Sequence, residues 1–69
     1  MNLENNKVYK VNHSRKGRFT MRTTDVSNDT WVTGEIVDGK TRTMLPENSR
    51  SEGETITVRK SFCTFEEII

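Results

Sequence analysis

Trp31-Val32-Thr33-Gly34-Glu35-Ile36-Val37-Asp38-Gly39-Lys40-Thr41-Arg42-Thr43-Met44-Leu45 is the stretch that decides the fold, two alternating runs on either side of an Asp-Gly pair. In the first run, which begins at Thr30, Trp31, Thr33, Glu35 and Val37 share one face while Val32, Gly34 and Ile36 share the other. That two-residue period is the signature of a strand. Gly34 in its middle signals a bulge or a sharp bend. Both central residues of a type I′ turn need positive φ, and Asp38-Gly39 meets that need, so a tight hairpin into a strand over 40–45 is expected. Pro46 ends that strand because it has no amide to donate, and residues 46–53 read as a loop.

Working outward, residues 18–24 alternate with Phe19, Met21 and Thr23 on a core face and Arg18, Thr20, Arg22 and Thr24 on the other. Residues 7–12 form a first strand whose inward face is open, since Tyr9 and Val11 lie on one side and Val8 on the other. The basic link from His13 to Gly17 joins these two strands, and residues 25–29 form a polar turn after the second. Residues 54–60 are a further strand burying Ile56 and Val58. In the tail, Phe62 and Phe65 are three apart, which suits a single 3₁₀ or helical turn in preference to a sixth short strand. Residues 1–6 are expected to be a flexible end and 7–69 a single domain.

Composition agrees with a small β-sheet protein: among 69 residues there are ten threonines and no alanine. A domain of this length buries only about 60% of the surface of its unfolded chain, so few core positions are spare. Trp31 is expected in the core more than at a contact, and truncation of Phe19 or Trp31 is expected to unfold the protein. The lone Cys63 forms no internal disulfide and reads as a small buried hydrophobe, and with no long apolar run the expected compartment is a reducing cytoplasm, away from any membrane.

No catalytic or metal constellation is present. His13 is the sole histidine, read as an exposed turn residue with no second ligand beside it, so no metal, cofactor or enzymatic activity is expected. The formal charge of +1 hides an uneven distribution, with six basic residues against Glu4 in positions 1–24 and four acids without a base in positions 25–39. The set Arg15, Lys16, Arg18 and Arg22, with Lys10, Arg59 and Lys60 near it, can contact phosphates, and Tyr9 or Trp31 can stack on bases if exposed. Solvated cations paired across strands are the competing reading, favoured by the low net charge. An exposed Trp31 beside arginines would equally anchor a protein interface.

The five-strand meander, the basic first connection, the Asp38-Gly39 pair and the closing Gly53-Glu54-Thr55-Ile56-Thr57-Val58-Arg59 strand together resemble SH3-like small β-barrels. The run from Lys7 to Gly17, with Trp31-Val32-Thr33-Gly34 and Val58-Arg59-Lys60-Ser61-Phe62, is also similar to small bacteriophage and prophage proteins. The expectation is therefore an all-β, SH3-like antiparallel barrel of about five strands with a short C-terminal helical or 3₁₀ turn. The resemblance implies a non-catalytic phage-type binding module in the bacterial host cytoplasm, monomeric or weakly dimeric. It would dock on a host or viral protein, or alternatively on nucleic acid through its basic face. The chain lacks the closely placed aromatics and acids with which SH3 domains take proline-rich peptides. Lys10, Arg15, Lys16, Arg18, Arg22, Trp31 and Arg59 are the candidate contact residues.

Overall fold

The computed structural model describes residues 3–41 and 49–68. Among them run β1 (Val8–His13), β2 (Gly17–Asp25), β3 (Trp31–Gly39), β4 (Thr55–Arg59) and β5 (Cys63–Glu67), with a 3₁₀ turn at Lys60–Phe62 between the last two. All neighbours are antiparallel in one sheet of order β4-β3-β2-β1-β5. The all-β class, the count of five strands and the 3₁₀ turn agree with the sequence reading, but the fifth strand is Cys63–Glu67, in the tail where a turn was expected in preference to a strand, because these residues find the free edge of β1 to pair with. The ladder does not close, however: β4 and β5 are both edges, so the pairing is that of an open sheet where a closed barrel was expected.

A single sheet has to bury one face on itself. Tyr9, Val11, Phe19, Met21, Val32, Ile36, Ile56 and Val58 are all buried in one cluster, with Leu3, Val26, Cys63 and Phe65 packed against it. Curling achieves this, and the link between the two edges enforces it. In a flat sheet β4 and β5 would lie about 19 Å apart, four spacings of about 4.8 Å. The 3₁₀ turn spans only about 8 Å at 2.0 Å per residue, so the sheet must wrap its inner face around the core.

Parity settles the faces that the sequence left open. Tyr9 and Val11 point inward from β1, and Tyr9 is held there by an edge-on Phe65 ring at 6.1 Å and by the Glu4 N–H, which donates to its Oη at 3.0 Å. On β3 the inward set is Val32, Gly34 and Ile36, which leaves Trp31 on the outer face, 45% exposed. The expectation of a core tryptophan is thereby corrected. Thr23, buried on β2, ties the segment before β1 to the sheet: its hydroxyl bonds the Glu4 carbonyl, and its backbone exchanges bonds with Asn6 and Lys7.

The Asp38-Gly39 pair does not make the expected tight hairpin. β3 runs straight through it, with Thr20 opposite Asp38 and Phe19 opposite Gly39, and β3 pairs next with β4. Gly39 does adopt a positive φ, +82°, but it serves the strand beside a bulge at Val37, which the β2–β3 register skips. Nine residues of β2 need a partner of matching length, and that long-range pairing outweighs the local turn preference. Of the strand expected over 40–45, Lys40 makes one bridge to Ser51, and Thr41 is buried with its N–H donating to the Arg50 carbonyl at 2.8 Å. Positions 42–45, and 46–48 of the expected loop, lie outside the described residues. No helix among the described residues is long and apolar enough to cross a membrane.

Candidate binding site

The curl brings three distant pieces of chain to one corner. His13 closes β1, one residue beyond the expected strand end, and the same parity as Tyr9 and Val11 turns it inward. It is 5% exposed, which corrects its reading as an exposed turn residue. Its Nδ1 accepts the backbone N–H groups of Arg15 and of Lys16, each at 3.0 Å, so the imidazole braces the β1–β2 turn as an Asp or Asn side chain would. The ring meets Phe62 edge-on at 5.8 Å, and the Ser14 N–H donates to the Phe62 carbonyl at 2.9 Å. The turn is thus stitched to the 3₁₀ turn. From the other side the Lys60 N–H donates to the Thr30 carbonyl at 2.8 Å, and Trp31 stands opposite Arg59 in the β3–β4 ladder.

Two aromatic rings and three cations meet there. Trp31 and Phe62, 45% and 42% exposed, flank the Arg59 guanidinium, whose carbon lies 5.9 Å from the Trp31 centroid and 5.7 Å from that of Phe62. Arg15 approaches the Phe62 ring at 5.9 Å. Such contacts are worth about 0.5–1 kcal/mol each at exposed sites. Among the described residues no acid forms an ion pair with Arg15, Lys16 or Arg59. Between them lies a shallow depression of about 220 Å³, lined also by Val58, Thr57 and His13. Its walls offer aromatic surface and positive charge together.

The other residues singled out from sequence go elsewhere. Arg22 is on the outer face of β2, as expected, but its guanidinium sits 3.6 Å from the Glu35 carboxylate across the ladder. Lys10 and Arg18 line a broader hollow of about 580 Å³ on the outer face, where Asp38 and Glu66 answer their charge. Tyr9 is buried and offers no stacking surface. So Arg15, Lys16, Trp31 and Arg59 come together while Lys10, Arg18 and Arg22 do not join them. Phe62 also stands at this corner, although the sequence reading placed it only in the turn of the tail. Its signal was present in the chain, since Val58-Arg59-Lys60-Ser61-Phe62 carries an aromatic three residues after an arginine that faces outward.

The corner also shifts two titrations. Burial first, then the charges of Lys16 and Arg15, lowers the His13 pKa from its ordinary 6.5, so the ring is neutral at neutral pH and free to accept at Nδ1. Burial raises the Cys63 thiol to about 11, which makes it an unreactive packing group. Among the described residues no group of three or more His, Cys, Asp or Glu side chains is placed to hold a metal ion.

A pH dependence follows from His13. Its folded pKa lies below the unfolded value of 6.5, so the unfolded chain takes up the proton first. Stability contributed by the neutral ring is complete above that value and is lost as the pH falls through it toward the folded pKa. The midpoint of urea unfolding is expected to drop between pH 7.5 and 5.5 and to stay flat over that range in His13→Asn. A flat profile in the wild type would show that the ring carries no such linkage. Comparison with models of protein families, with curated proteins and with solved structures finds no match to this chain, so what the corner does is read from its own chemistry.

Proposed function

We propose that the protein is a non-catalytic binding module that docks on an acidic segment of a protein partner through the Trp31–Arg59–Phe62 corner, with Arg15 and Lys16 supplying further charge. The observation that carries this reading is the pair of exposed rings around Arg59, beside cations with no acid of their own among the described residues. Tryptophan and arginine recur as interface anchors because each buries a large area while keeping a polar handle. The sheet itself is proposed to be of the SH3-like class. Supporting that are the meander order, the return of β5 onto β1 and the 3₁₀ turn that joins the two edge strands. On the resemblance to small phage and prophage proteins, the partner is a host or viral protein of the infected bacterial cytoplasm.

Single-stranded nucleic acid is the second reading, favoured by the same exposed rings and cations. It fits less well because a backbone needs a continuous track of positive charge. Leaving the corner along the outer face, that track meets Asp38, Glu66 and Glu35.

Trp31 is the only tryptophan in the chain, so its fluorescence reports on the corner directly. Titration with acidic peptides is expected to perturb that emission. Trp31→Ala and Arg59→Ala, followed by NMR, are each expected to weaken binding about 30-fold, the effect of losing an interface anchor of about 2 kcal/mol. Quenching by single-stranded oligonucleotides with steep loss of affinity as salt rises, and none by acidic peptides, would replace the protein partner with nucleic acid.

A further inference from the structure

The depression at the corner contains a hydrogen-bond donor that the fold does not use. Because Nδ1 of His13 accepts from both Arg15 and Lys16, the proton of the neutral ring is on Nε2. No acceptor for Nε2 is found among the described residues, yet no buried side-chain nitrogen or oxygen among them lacks a partner. Nε2 therefore retains solvent access, and the depression that His13 lines is where that access is assigned. A residue that is 5% exposed thus offers one N–H at a hollow lined by Arg15, Lys16 and Arg59. The groups placed around it are these cations, the Phe62 ring and the neutral thiol of Cys63 opposite it on β5, and among the described residues lining the hollow there is no carboxylate.

Building on the proposed docking at this corner, we propose that the depression captures the C-terminal carboxylate of the partner chain, with His13 Nε2–H as the orienting donor and Arg15 and Arg59 as the counter-charges. The hollow asks for two properties at once, a negative acceptor and an apolar body to rest on Trp31, Phe62 and Val58. A chain terminus ending in an apolar residue carries both on one Cα. An internal Asp or Glu brings the carboxylate on a short stem with no apolar body, and it must lead its chain out over the rim on two sides. The hollow, about 220 Å³, has room for roughly one residue, which again suits an end. Capture of a terminal carboxylate by preplaced N–H donors is a recurring mode of peptide recognition. The charge-assisted bond from a fixed, desolvated donor makes it selective.

The test uses three short probe peptides and the full chain. N-acetyl-Gly-Gly-Phe with a free carboxylate is titrated against its carboxamide and against N-acetyl-Gly-Glu-Gly-amide, read by Trp31 fluorescence and by amide shifts of His13, Arg15 and Lys16. The free acid is expected to bind at least tenfold more tightly than either of the others. His13→Asn isolates the donor, because the Asn Oδ1 can still accept the Arg15 and Lys16 amides while its Nδ2–H2, on a shorter side chain, does not reach the position of Nε2–H. With those two amides still at their wild-type shifts, the variant is expected to lose about tenfold or more in affinity for the free acid.

Equal binding of acid and carboxamide, or no binding of the acid, overturns terminal-carboxylate capture. So does an internal glutamate that binds as well as the terminus, an outcome that leaves the acidic-segment reading of the corner standing. Unchanged affinity in His13→Asn overturns the role of Nε2. Failure of the broader reading looks different: Trp31 then responds to none of these peptides nor to longer acidic ones.

Discussion

Gly34→Ala is expected to cost at least about 3 kcal/mol, and Gly34→Val to leave no folded protein at 25 °C. A Cβ built at Gly34 would stand 2.5 Å from the Arg22 carbonyl oxygen and 2.5 Å from Met21 Cε. The methionine methyl can swing away, but the carbonyl belongs to the backbone of the adjoining strand, where Thr23 is the residue opposite Gly34. Relief requires β2 and β3 to separate in the middle of the ladder, at the place where the β2 bulge begins. Overpacking a core ordinarily costs about 1–3 kcal/mol. Here the obstacle is main chain, so the upper end is the minimum. A core in a chain below about 70–80 residues rarely supplies more than about 3–5 kcal/mol in all, which is why one methyl group is expected to be decisive. Thermal unfolding followed by circular dichroism checks this: about 3 kcal/mol corresponds to a fall of roughly 12–24 °C in a domain of this size. An alanine variant melting within a few degrees of wild type would mean that the two strands do not approach so closely.

The same residue marks how far the sequence could be read. Gly34 in an alternating run announces a bend, and the register shift between Thr23 and Asp25 lies beside it. The clean alternations of Phe19, Met21 and Thr23, and of Ile56 and Val58, point inward as their period requires. β1 was ambiguous because both its faces carry an apolar residue, and only pairing with β2 and β5 decides between them. The Asp38-Gly39 pair misled because a turn preference is local, whereas the pairing that overrode it joins residues about twenty apart in the chain. The corner was legible only in pieces. Arg15, Lys16, Trp31 and Arg59 each stood out by residue type, but their meeting depends on the curl, and so on a 3₁₀ turn whose short span draws the two edges together. The sequence places Arg15 in a link and Arg22 on a strand face, but nothing in it says which of the two meets an acid. What separates them is Glu35, which faces one and not the other.

Phe19→Ala and Trp31→Ala are expected to behave oppositely, although residue size alone predicts that either would unfold the chain. Phe19 is 4% exposed, points into the single core and lies directly across from Gly39. Removing its ring leaves a cavity that the sheet cannot fill, a loss of about 3–5 kcal/mol, comparable with the whole stability of so small a domain. The far-ultraviolet dichroism of Phe19→Ala should be that of a largely unfolded chain at 25 °C. Trp31 lies on the outer face with its ring against Arg59, and its loss removes a cation–π contact and a partly wet surface, about 1 kcal/mol or less. Its variant should keep the dispersed amide spectrum of the wild type while losing affinity at the corner. If Trp31→Ala instead unfolds as readily as Phe19→Ala, the ring is part of the core and cannot be a contact surface. The contrast therefore tests whether the side chains that hold this sheet together are distinct from those that it presents to a partner.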